Sequence, residues 1–404
     1  MIACRFCGAG LTRTFVDLGC SPLANGLLTP DRLEAMELYY PLHVRVCERC
    51  LLVQLPELAS AETIFDDYVY FSSYSDTWRR HCAAFVADAT QRLGLGRNSL
   101  VVEIASNDGT LLREFQRHGL GVLGVEPAAN VARIAEADGV PTEVAYFGVS
   151  AAQRMVAAGK AADLIVANNV LAHVPALNDF VAGLALLLKP MGTITVEFPH
   201  LLRLIEERLF DTIYHEHFSY FSLLTAERIF AHHALHVVDV ETLSTHGGSL
   251  RLYVRHAGEP SERVEAVLAE ERAAGLDDLR GYAGLADAVA EVKCAVLEFL
   301  VQARRAGSVV CGYGAPAKAS TLLNFCGVGP ELLRFTVDRS PHKQGRFVPG
   351  VRIPILPPEQ LFEVRPDYLF ILPWNIADEV MAQMAAVREW GCRFVTAIPE
   401  LRVV

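Results

Sequence analysis

The chain has 404 residues, of which 52% are hydrophobic and 21% charged, and its formal net charge is −11 at pH 7. The composition excludes a disordered protein and the length predicts two or three domains, while the acidic balance disfavours nucleic acid or an anionic membrane as a partner. No apolar run reaches about 18 residues and no signal-like segment opens the chain, so we expect a cytoplasmic protein without membrane spans.

Two Cys-x-x-Cys pairs lie near the start of the chain. Cys4 and Cys7 form the first pair, and Cys47 and Cys50 form the second. In a reducing compartment, four thiolates in two such knuckles favour tetrahedral zinc over disulfides. Four protein ligands leave no open coordination position, so the predicted zinc is structural. The alternative interpretation is a set of unligated core thiols.

An aromatic and hydroxyl-rich segment, AETIFDDYVYFSSYS, follows at 61–75. It lacks helical periodicity, which predicts a loop that packs over a neighbouring feature. A helix is expected next, over 78–95.

Short apolar runs then alternate with stretches of helical spacing. The runs that read as strands are SLVVEIA, VLGVEP, PTEVAYF, ADLIVANNV and GTITVEFP. Regular alternation of strand and helix predicts a doubly wound parallel sheet. After a long stretch of helical spacing from Pro260 to Leu300, strand, glycine turn and helix recur. We therefore predict an α/β fold with a zinc-binding module at 1–75, a central Rossmann-like domain at 76–258 and a second Rossmann-like domain at 259–404.

The turn after the first predicted strand is typical of a nucleotide-like ligand site. Glu103 lies inside the strand, and Asn107, Asp108 and Gly109 form the turn. A single glycine is too few for the close approach of a dinucleotide pyrophosphate, so NAD is disfavoured. Glu126, at the end of the next strand, is placed to accept both ribose hydroxyls. The pattern predicts an adenosine ligand without phosphates.

These motifs, together with the segment ANNVLAHV, resemble the cofactor motifs of S-adenosylmethionine methyltransferases. With the zinc knuckles, the segment EFPHLLRLIEERLFDTIYHEHFSYFS and the later GYGAPAKASTLLN, the whole chain resembles the nucleotide-sugar C-methyltransferases that build branched deoxysugars. The cofactor-binding residues that the resemblance implies are Glu103, Ala105, Asn107, Asp108, Gly109, Glu126, Pro127, Asn168 and Asn169.

The family's reaction places a methyl group on a carbon next to the ketone of a dTDP-linked 4-keto-6-deoxysugar. The resemblance therefore implies an enzyme that uses S-adenosylmethionine as cofactor and such a sugar as substrate, in deoxysugar and antibiotic biosynthesis. Methylation at C3 is favoured, and C5 is the alternative. The side chains need only align the reactants for methyl transfer, which agrees with a structural zinc.

Tyr214, His215, Glu216 and His217 are consecutive and flanked by apolar residues, which predicts partial burial; the alternative is a solvated turn. An enolate requires a general base with a pKa near the working pH, and histidine, at about 6.5, is suitable. We expect His217 to be the base, Glu216 or a neighbour to fix its tautomer, and Tyr214 to donate to the enolate, roles that rest on the resemblance. The sequence leaves open whether the segment is extended or turned, which decides which side chains share a face.

Two further active-site candidates follow from the resemblance. His173, just past the fourth predicted strand, is expected near the sulfonium; the alternative is a capping or core histidine. Tyr70 is expected to close over the sugar, with simple packing as the alternative and Tyr68 or Tyr74 as substitutes.

The second predicted sheet carries a glycine turn that opens a helix, followed by a cationic loop. Backbone amides at such a turn can hold an anion, and a lysine supplies a point charge for phosphate. The expected substrate-binding residues are Gly312, Gly314, Lys318, Asp338, Lys343 and Arg346. A solvated loop is the alternative interpretation.

Three other functions are compatible with parts of the pattern. They are a methyltransferase acting on oxygen or nitrogen of a small molecule, a zinc-stabilised binding protein with a degenerate methyltransferase fold, and an NAD-dependent oxidoreductase. The Tyr-His-Glu-His cluster disfavours the first, and the intact acidic motifs together with that cluster disfavour the second. The second sheet suggests the oxidoreductase, which remains as the third alternative. A monomer is expected, since two open sheets and a zinc module need no partner to complete a core.

Overall fold

The computed structural model describes residues 2–60 and 76–404, without the side chains of residues 76 and 77. The expected loop at 61–75, with Tyr68, Tyr70 and Tyr74, lies outside the described residues. Across the described part of the chain, none of the helices has both the length and the apolar character needed to cross a membrane.

The described residues contain strands that we number in chain order. They are β1 (Arg13–Ser21), β2 (Tyr40–Val46), β3 (Val53–Gln54), β4 (Leu100–Ile104), β5 (Gly121–Val125), β6 (Thr142–Glu143), β7 (Ala162–Asn168), β8 (Leu188–Pro199), β9 (Ser219–Tyr220), β10 (His236–Leu243), β11 (Ser249–Arg255), β12 (Val310–Tyr313), β13 (Thr336–Val337), β14 (Ile355–Leu356), β15 (Tyr368–Ile371), β16 (Arg393–Thr396) and β17 (Arg402–Val403).

The α-helices of the same residues are numbered likewise. They are α1 (Asp76–Arg92), α2 (Thr110–Arg117), α3 (Ala129–Ala137), α4 (Val149–Ala157), α5 (Leu177–Leu187), α6 (Leu201–Glu206), α7 (Leu223–His232), α8 (Glu262–Ala273), α9 (Leu285–Arg305), α10 (Ala317–Cys326), α11 (Gln360–Val364) and α12 (Ala377–Gln383). Short 3-10 helices also occur, among them Leu171–His173, Phe210–Thr212 and Trp374–Ile376.

The chain divides into two compact units, each built from three segments. Unit 1 contains the described residues of Met1–Thr12, Val46–Leu202 and Phe218–Gly281. Unit 2 contains Arg13–Arg45, Arg203–His217 and Tyr282–Val404. The predicted division into 1–75, 76–258 and 259–404 stays a prediction, and the two units group these parts of the chain in another way.

Unit 1 is organised by a seven-stranded sheet of order β10-β11-β8-β7-β4-β5-β6. The five strands from β6 to β8 in this order are parallel, as predicted, but β11 runs antiparallel to both β8 and β10. The sheet is therefore mixed. A short connection joins β10 to β11, and such a hairpin can only give antiparallel neighbours.

The central strands of this sheet form because their apolar residues can be buried on both faces. Val101, Val102 and Ile104 of β4 are buried, as expected for a strand covered on two sides. On one face the core includes Phe85 from α1 and Phe115 from α2. The arrangement brings the carboxyl ends of β4, β5 and β7 to the same edge of the sheet, where ligands bind in open α/β sheets.

Unit 2 contains a second sheet, of order β14-β13-β12-β15-β16-β17. Its strands are parallel except for β17, which is antiparallel to β16. Strands β1 and β2 are neighbours in this unit as well. The predicted α/β class, with a zinc module and two sheets, is confirmed, although both sheets are mixed.

The predicted helical stretch over 260–300 is interrupted. It forms α8 and α9, with a 3-10 helix at Leu279–Tyr282 between them. Gly275, Gly281 and Gly284 lie in or beside the break, and glycine is a poor residue for a helix interior. The chain is therefore helical on both sides of the break, as predicted, and the glycines interrupt the helix.

Candidate active site

Cys4, Cys7, Cys47 and Cys50 come together in unit 1, and their sulfur atoms all lie within 4.8 Å of one another. The Cys4 and Cys50 sulfurs are 3.5 Å apart, and so are those of Cys7 and Cys47. Tetrahedral zinc with bonds of about 2.3 Å would separate its thiolates by about 3.8 Å, so the four residues fit this metal. The amide of Gln54 donates to the Cys4 sulfur over 3.1 Å, a contact that orients a ligand.

Arg5, inside the first knuckle, ties it to the segment that carries His173. Its guanidinium donates from Nη1 to the carbonyl of Pro175 over 3.0 Å and from Nη2 to the carbonyl of Leu55. The same guanidinium lies over the ring of Phe218, 5.4 Å from its centre. A charged donor shared between two carbonyls is stronger than a neutral hydrogen bond, so the knuckle restrains this segment.

The contact is made in both directions. Asn178, in the first turn of α5, donates from Nδ2 to the carbonyl of Phe6 over 2.9 Å. Nε2 of His233 is 3.1 Å from the side-chain oxygen Oδ1 of Asn178, and the ring of Phe6 packs edge-on against His232. The segment that follows His173 is thus attached to the zinc module at Pro175 and at Asn178.

The predicted cofactor turn between β4 and α2 has an unusual backbone. Ala105 and Asn107 have φ angles of 56° and 49°, in the left-handed region that non-glycine residues rarely adopt. Gly109 also has a positive φ, and a Cβ there would lie 2.9 Å from the Val140 side chain. Backbone strain of this kind clusters at ligand-binding turns, which agrees with the predicted role.

Two buried carboxyl groups face this turn. Each oxygen of Glu126 accepts one backbone N–H, from Asn107 at 2.9 Å and from Ala128 at 2.8 Å. A carboxylate can accept about four hydrogen bonds, so two sites remain for ribose hydroxyls. Among the described residues, Oε2 of Glu103 has no hydrogen-bond partner, and burial raises the pKa of this group, with Asp108 and Glu126 adding to the rise. An unpartnered buried oxygen is the kind of group that a ligand satisfies.

Asp108 makes two local hydrogen bonds at this turn, and its predicted part in cofactor binding stays a prediction. Its Oδ1 accepts from the hydroxyl of Thr110 at 2.6 Å and from the Thr110 backbone N–H at 3.3 Å. The side chain is buried at the start of α2. These contacts are typical of a residue that shapes a turn and satisfies the first amides of a helix.

The end of β7 supplies the remaining predicted cofactor residues. Both side-chain polar atoms of Asn168 are buried and lack a hydrogen-bond partner among the described residues. Asn169 has a φ of 54°, and its N–H donates to the carbonyl of Glu197. His173 ends the 3-10 helix that follows. Pro127 follows Glu126 at the end of β5, so all the predicted cofactor residues lie at one edge of the sheet.

The segment Tyr214–His217 is a β-turn in unit 2, in which the N–H of His217 donates to the carbonyl of Tyr214 over 2.9 Å. The turn divides the four side chains into two pairs. The rings of Tyr214 and His217 are partly exposed and face each other, 4.1 Å between centres. His215 and Glu216 are buried. The structure thus answers the question of extended or turned backbone that the sequence left open.

The tautomer of His217 follows from one hydrogen bond. Its Nδ1 is 2.8 Å from the carbonyl oxygen of Thr212. Because a carbonyl oxygen can only accept, Nδ1 carries the proton, and the neutral ring has its lone pair on Nε2. A neighbouring carbonyl, rather than Glu216, is the group found at Nδ1.

The buried pair points the other way, towards residues of Arg13–Arg45. Asn25 donates to Glu216 over 2.6 Å, and the ring of Tyr40 packs against His215. Burial raises the pKa of Glu216 to about 7, opposed by the Asn25 hydrogen bond, and burial lowers the pKa of His215. Burial therefore favours the neutral form of both side chains.

The predicted substrate residues of unit 2 gather at the carboxyl ends of β12 and β13. Asp338 accepts from the N–H of Ala315 over 2.8 Å, and Lys343 donates to the Ala315 carbonyl over 2.9 Å. Gly314 has a φ of 87°, and a Cβ there would lie 2.6 Å from the Pro373 ring.

The remaining members of that set differ in their surroundings. Gly312 lies inside β12, where a Cβ would meet the Thr336 hydroxyl at 2.7 Å. Arg346 is partly exposed. Lys318 donates to the side chain of Asn375 over 2.9 Å and lies over the ring of Trp374. Its ammonium is thus directed at these side chains, while Lys343 is bound to the glycine turn.

Sequence reasoning missed several residues that hold the site together. Arg5 is visible in the sequence as the charge inside the CRFC knuckle, and Thr212 lies two positions before the quartet. Asp211 is an acidic residue within an apolar run, which is a signal for a special role. Asn25 lies about 190 residues from Glu216 in sequence, and no local pattern indicates their contact.

Three family profiles match successive parts of the chain. They describe a putative zinc binding domain at residues 4–65, a methyltransferase domain at residues 78–240 and a C-methyltransferase C-terminal domain at residues 244–399. The C-methyltransferase NovU of Streptomyces niveus is 38% identical over 404 residues, which is 99% of this chain and 96% of NovU.

Solved structures of methyltransferases resemble a part of the chain at low identity. Magnesium protoporphyrin IX methyltransferase of Synechocystis PCC 6803, with bound S-adenosylhomocysteine, is 17% identical and covers 47% of this chain and 90% of its own, with a TM-score of 0.36. An S-adenosylmethionine-dependent methyltransferase of Clostridium acetobutylicum is 11% identical and covers 45% and 92%, with a TM-score of 0.37.

Proposed function

We propose that this chain, which belongs to the C-methyltransferase family, methylates the carbon next to the ketone of a dTDP-linked 4-keto-6-deoxysugar. It is an S-adenosylmethionine-dependent methyltransferase with a zinc site of four cysteines. C3 is the favoured position, and C5 is the alternative. The observation that carries the proposal is the hydrogen bond between His217 Nδ1 and the Thr212 carbonyl. It assigns the proton to Nδ1 and the lone pair of the neutral, partly exposed ring to Nε2, which is the nitrogen that can accept a proton.

A carbon acceptor requires the removal of a proton, whereas an amine or alcohol acceptor places less demand on a base. His217 Nε2 takes the proton from the α-carbon, and the electron pair of that C–H bond enters the enolate. Tyr214, whose ring faces His217, donates to the enolate oxygen. Glu216 acts from behind the turn by holding it against Asn25.

The cofactor would be held at the edge of the seven-stranded sheet. Glu126 offers its two remaining acceptor sites to the ribose hydroxyls, and Glu103 and Asn168 offer buried polar atoms. When bound, S-adenosylmethionine supplies an electrophilic methyl group on its sulfonium. His173 is proposed as a further active-site residue and Tyr70 as a residue that covers the sugar.

The nucleotide part of the substrate would be held in unit 2. The N–H groups of Gly312 and Gly314 donate to the carbonyls of Phe335 and Val337, so the cations Lys343 and Arg346 are the groups that suit a pyrophosphate, and Asp338 suits a ribose or base. Lys318 is also predicted to bind the substrate, but its contacts with Asn375 and Trp374 suggest another role. We further propose that the protein acts as a monomer.

The test is exchange of the α-proton with solvent deuterium in a dTDP-4-keto-6-deoxysugar. His217→Asn is the matched variant, since the amide can still donate to the Thr212 carbonyl but has no base at the position of Nε2. We expect exchange to fall by at least about 100-fold, while binding of S-adenosylhomocysteine is unchanged. His236→Asn, at an exposed position of β10, is the control.

Two results would contradict the proposal in different ways. Exchange by His217→Asn at the wild-type rate would move the base elsewhere, with His173 as the next candidate. No exchange and no methylation of any 4-keto sugar by the wild-type protein would reject the substrate class. The position of the methyl group in the product separates C3 from C5.

A further inference from the structure

Asp211 is a fully buried carboxyl group that the proposed reaction does not use. It lies in the 3-10 helix Phe210–Thr212 of unit 2. Its Oδ2 accepts from the indole N–H of Trp374 over 2.7 Å, and its Oδ1 has no hydrogen-bond partner among the described residues. An ionisable group in such a place is costly unless another charge compensates it.

Lys318 supplies that compensating charge. It lies in the first turn of α10, and its Nζ is 4.6 Å from the centre of the Trp374 ring, the same indole that donates to Asp211. Burial raises the pKa of Asp211 to about 6, and the leading effect against this rise is the charge of Lys318. Burial lowers the pKa of Lys318, and Asp211 opposes that change. Each group thus stabilises the charged form of the other.

Residues on both sides of Asp211 are attached to the same helix. The ring of Phe210 packs edge-on against Phe325, 5.3 Å between centres. The hydroxyl of Thr321 donates to the carbonyl of Ile213 over 2.9 Å. Since Phe325, Thr321 and Lys318 all belong to α10, the segment 210–213 is docked on one helix face.

Thr212 lies in the middle of this docked segment, and its carbonyl is the group at Nδ1 of His217. A shift of the segment would therefore move the acceptor that selects the tautomer. We propose that Asp211 and Lys318 are a positioning pair, which holds the Thr212 carbonyl against His217, and that Lys318 serves the base rather than a phosphate of the substrate. The catalytic meaning of the pair rests on the proposed role of His217.

The two roles of Lys318 make opposite predictions for Lys318→Met. A positioning role predicts a fall in kcat of about 10- to 100-fold, with the affinity for dTDP within about twofold of wild type. It also predicts that Asp211→Asn relieves the defect, because the double variant no longer holds an uncompensated buried carboxylate. A phosphate role predicts weaker dTDP binding that Asp211→Asn leaves unchanged.

The tautomer is read directly by ¹⁵N NMR of labelled histidine, with His217→Asn to assign the signal. In the wild-type protein we expect the Nδ1–H form, and in Lys318→Met a loss of that form. Lys189→Met is the control, because Lys189 also pairs with a carboxylate, that of Asp163 over 2.7 Å, and lies in unit 1. It should leave the tautomer signal and kcat near wild type.

If Lys318→Met fails to fold, the tautomer of His217 is measured in two other variants. They are the double variant Asp211→Asn with Lys318→Met, and Lys318→Arg, which preserves the charge. The proposal expects both to fold with the Nδ1–H form of His217. An unchanged tautomer in a folded Lys318→Met would overturn the proposal, and so would loss of the Nδ1–H form in the folded double variant. The NMR measurement needs no substrate, so it separates this proposal from a failure of His217 as the base.

Discussion

The two segments that carry the candidate histidines are held in place by different means. The segment at 173–178 in unit 1 is bound by Arg5 and Phe6 of the zinc knuckle, so its partners are backbone and charged groups fixed by a metal site. The segment at 210–217 in unit 2 is docked on α10 through an aromatic pair and a hydroxyl, and its buried carboxyl accepts from the indole of Trp374. Neither segment has enough regular structure to hold itself, and each depends on a rigid neighbour.

Loss of the metal should have the largest effect of the changes that distinguish the two segments. Cys4→Ser removes one zinc ligand, and we expect methyl transfer to fall by at least about 100-fold and the melting temperature by about 10 °C, because ligand binding and folding are coupled at such sites. Zinc content, thermal unfolding and hydrogen exchange over 171–178 are the measurements. Faster exchange is expected in the two knuckles and in 171–178, and unchanged exchange over 171–178 with the metal lost would refute the link.

Glu216→Gln tests the other segment through pH. The raised pKa of Glu216, about 7 against an ordinary 4.5, means that the folded state favours the neutral carboxyl. Its stabilising contribution is complete below pH 4.5 and is lost as the pH rises through about 7. The variant should gain on the order of 3 kcal/mol over wild type between pH 5 and 8.5 in urea unfolding.

The control for this measurement is Glu207→Gln, at an exposed position in the stretch 203–217 of unit 2. A difference between wild type and Glu216→Gln that does not change with pH would show that the carboxyl is ionised throughout, contrary to the effect expected from its burial.

Arg5→Met isolates the link between knuckle and segment while all four thiolates remain. We expect zinc to be retained and the free energy of unfolding to fall by about 2 kcal/mol, since charged donors are lost from the carbonyls of Pro175 and Leu55. Arg228→Met is the matched control, because Arg228 donates over 3.4 Å to Cys50 of the other knuckle. Equal effects of the two variants would argue against a special role for Arg5.

The smallest effect is expected for Thr321→Val, which removes the hydrogen bond to the Ile213 carbonyl and nearly preserves the shape of the side chain. Stability should fall by about 1 kcal/mol. Thr321→Ser keeps the hydroxyl and should retain that hydrogen bond. A comparison of kcat in these two variants shows how much the base depends on this single contact.

Features that follow from local pattern were predictable from the sequence. The spacing of Cys4 and Cys7, and of Cys47 and Cys50, predicts that they are metal ligands. The strands that end near Glu103 and Glu126 are continuous apolar runs. Such signals depend on residues within a few positions of one another, so the chain displays them without a structure. The α/β class and the zinc module were confirmed for this reason.

Contacts between distant segments could not be predicted in the same way. The pairing of Glu216 with Asn25, and of Asp211 with Trp374, joins residues far apart in the chain, and no local pattern indicates which partner each carboxyl has. The antiparallel position of β11 depends on which strand edge is free, which is a property of the assembled sheet. The β-turn of the quartet was one of two backbone forms that the sequence allowed equally.

The interleaving of the two compact units affects how the enzyme can be recombined with its relatives. The chain passes between the units at 12/13, 45/46, 202/203, 217/218 and 281/282. A chimera that exchanges only 282–404 would pair α10 of one parent with the base segment of another and divide the buried contacts of Asp211. A successful exchange has to move 13–45, 203–217 and 282–404 together, although these pieces are far apart in the gene.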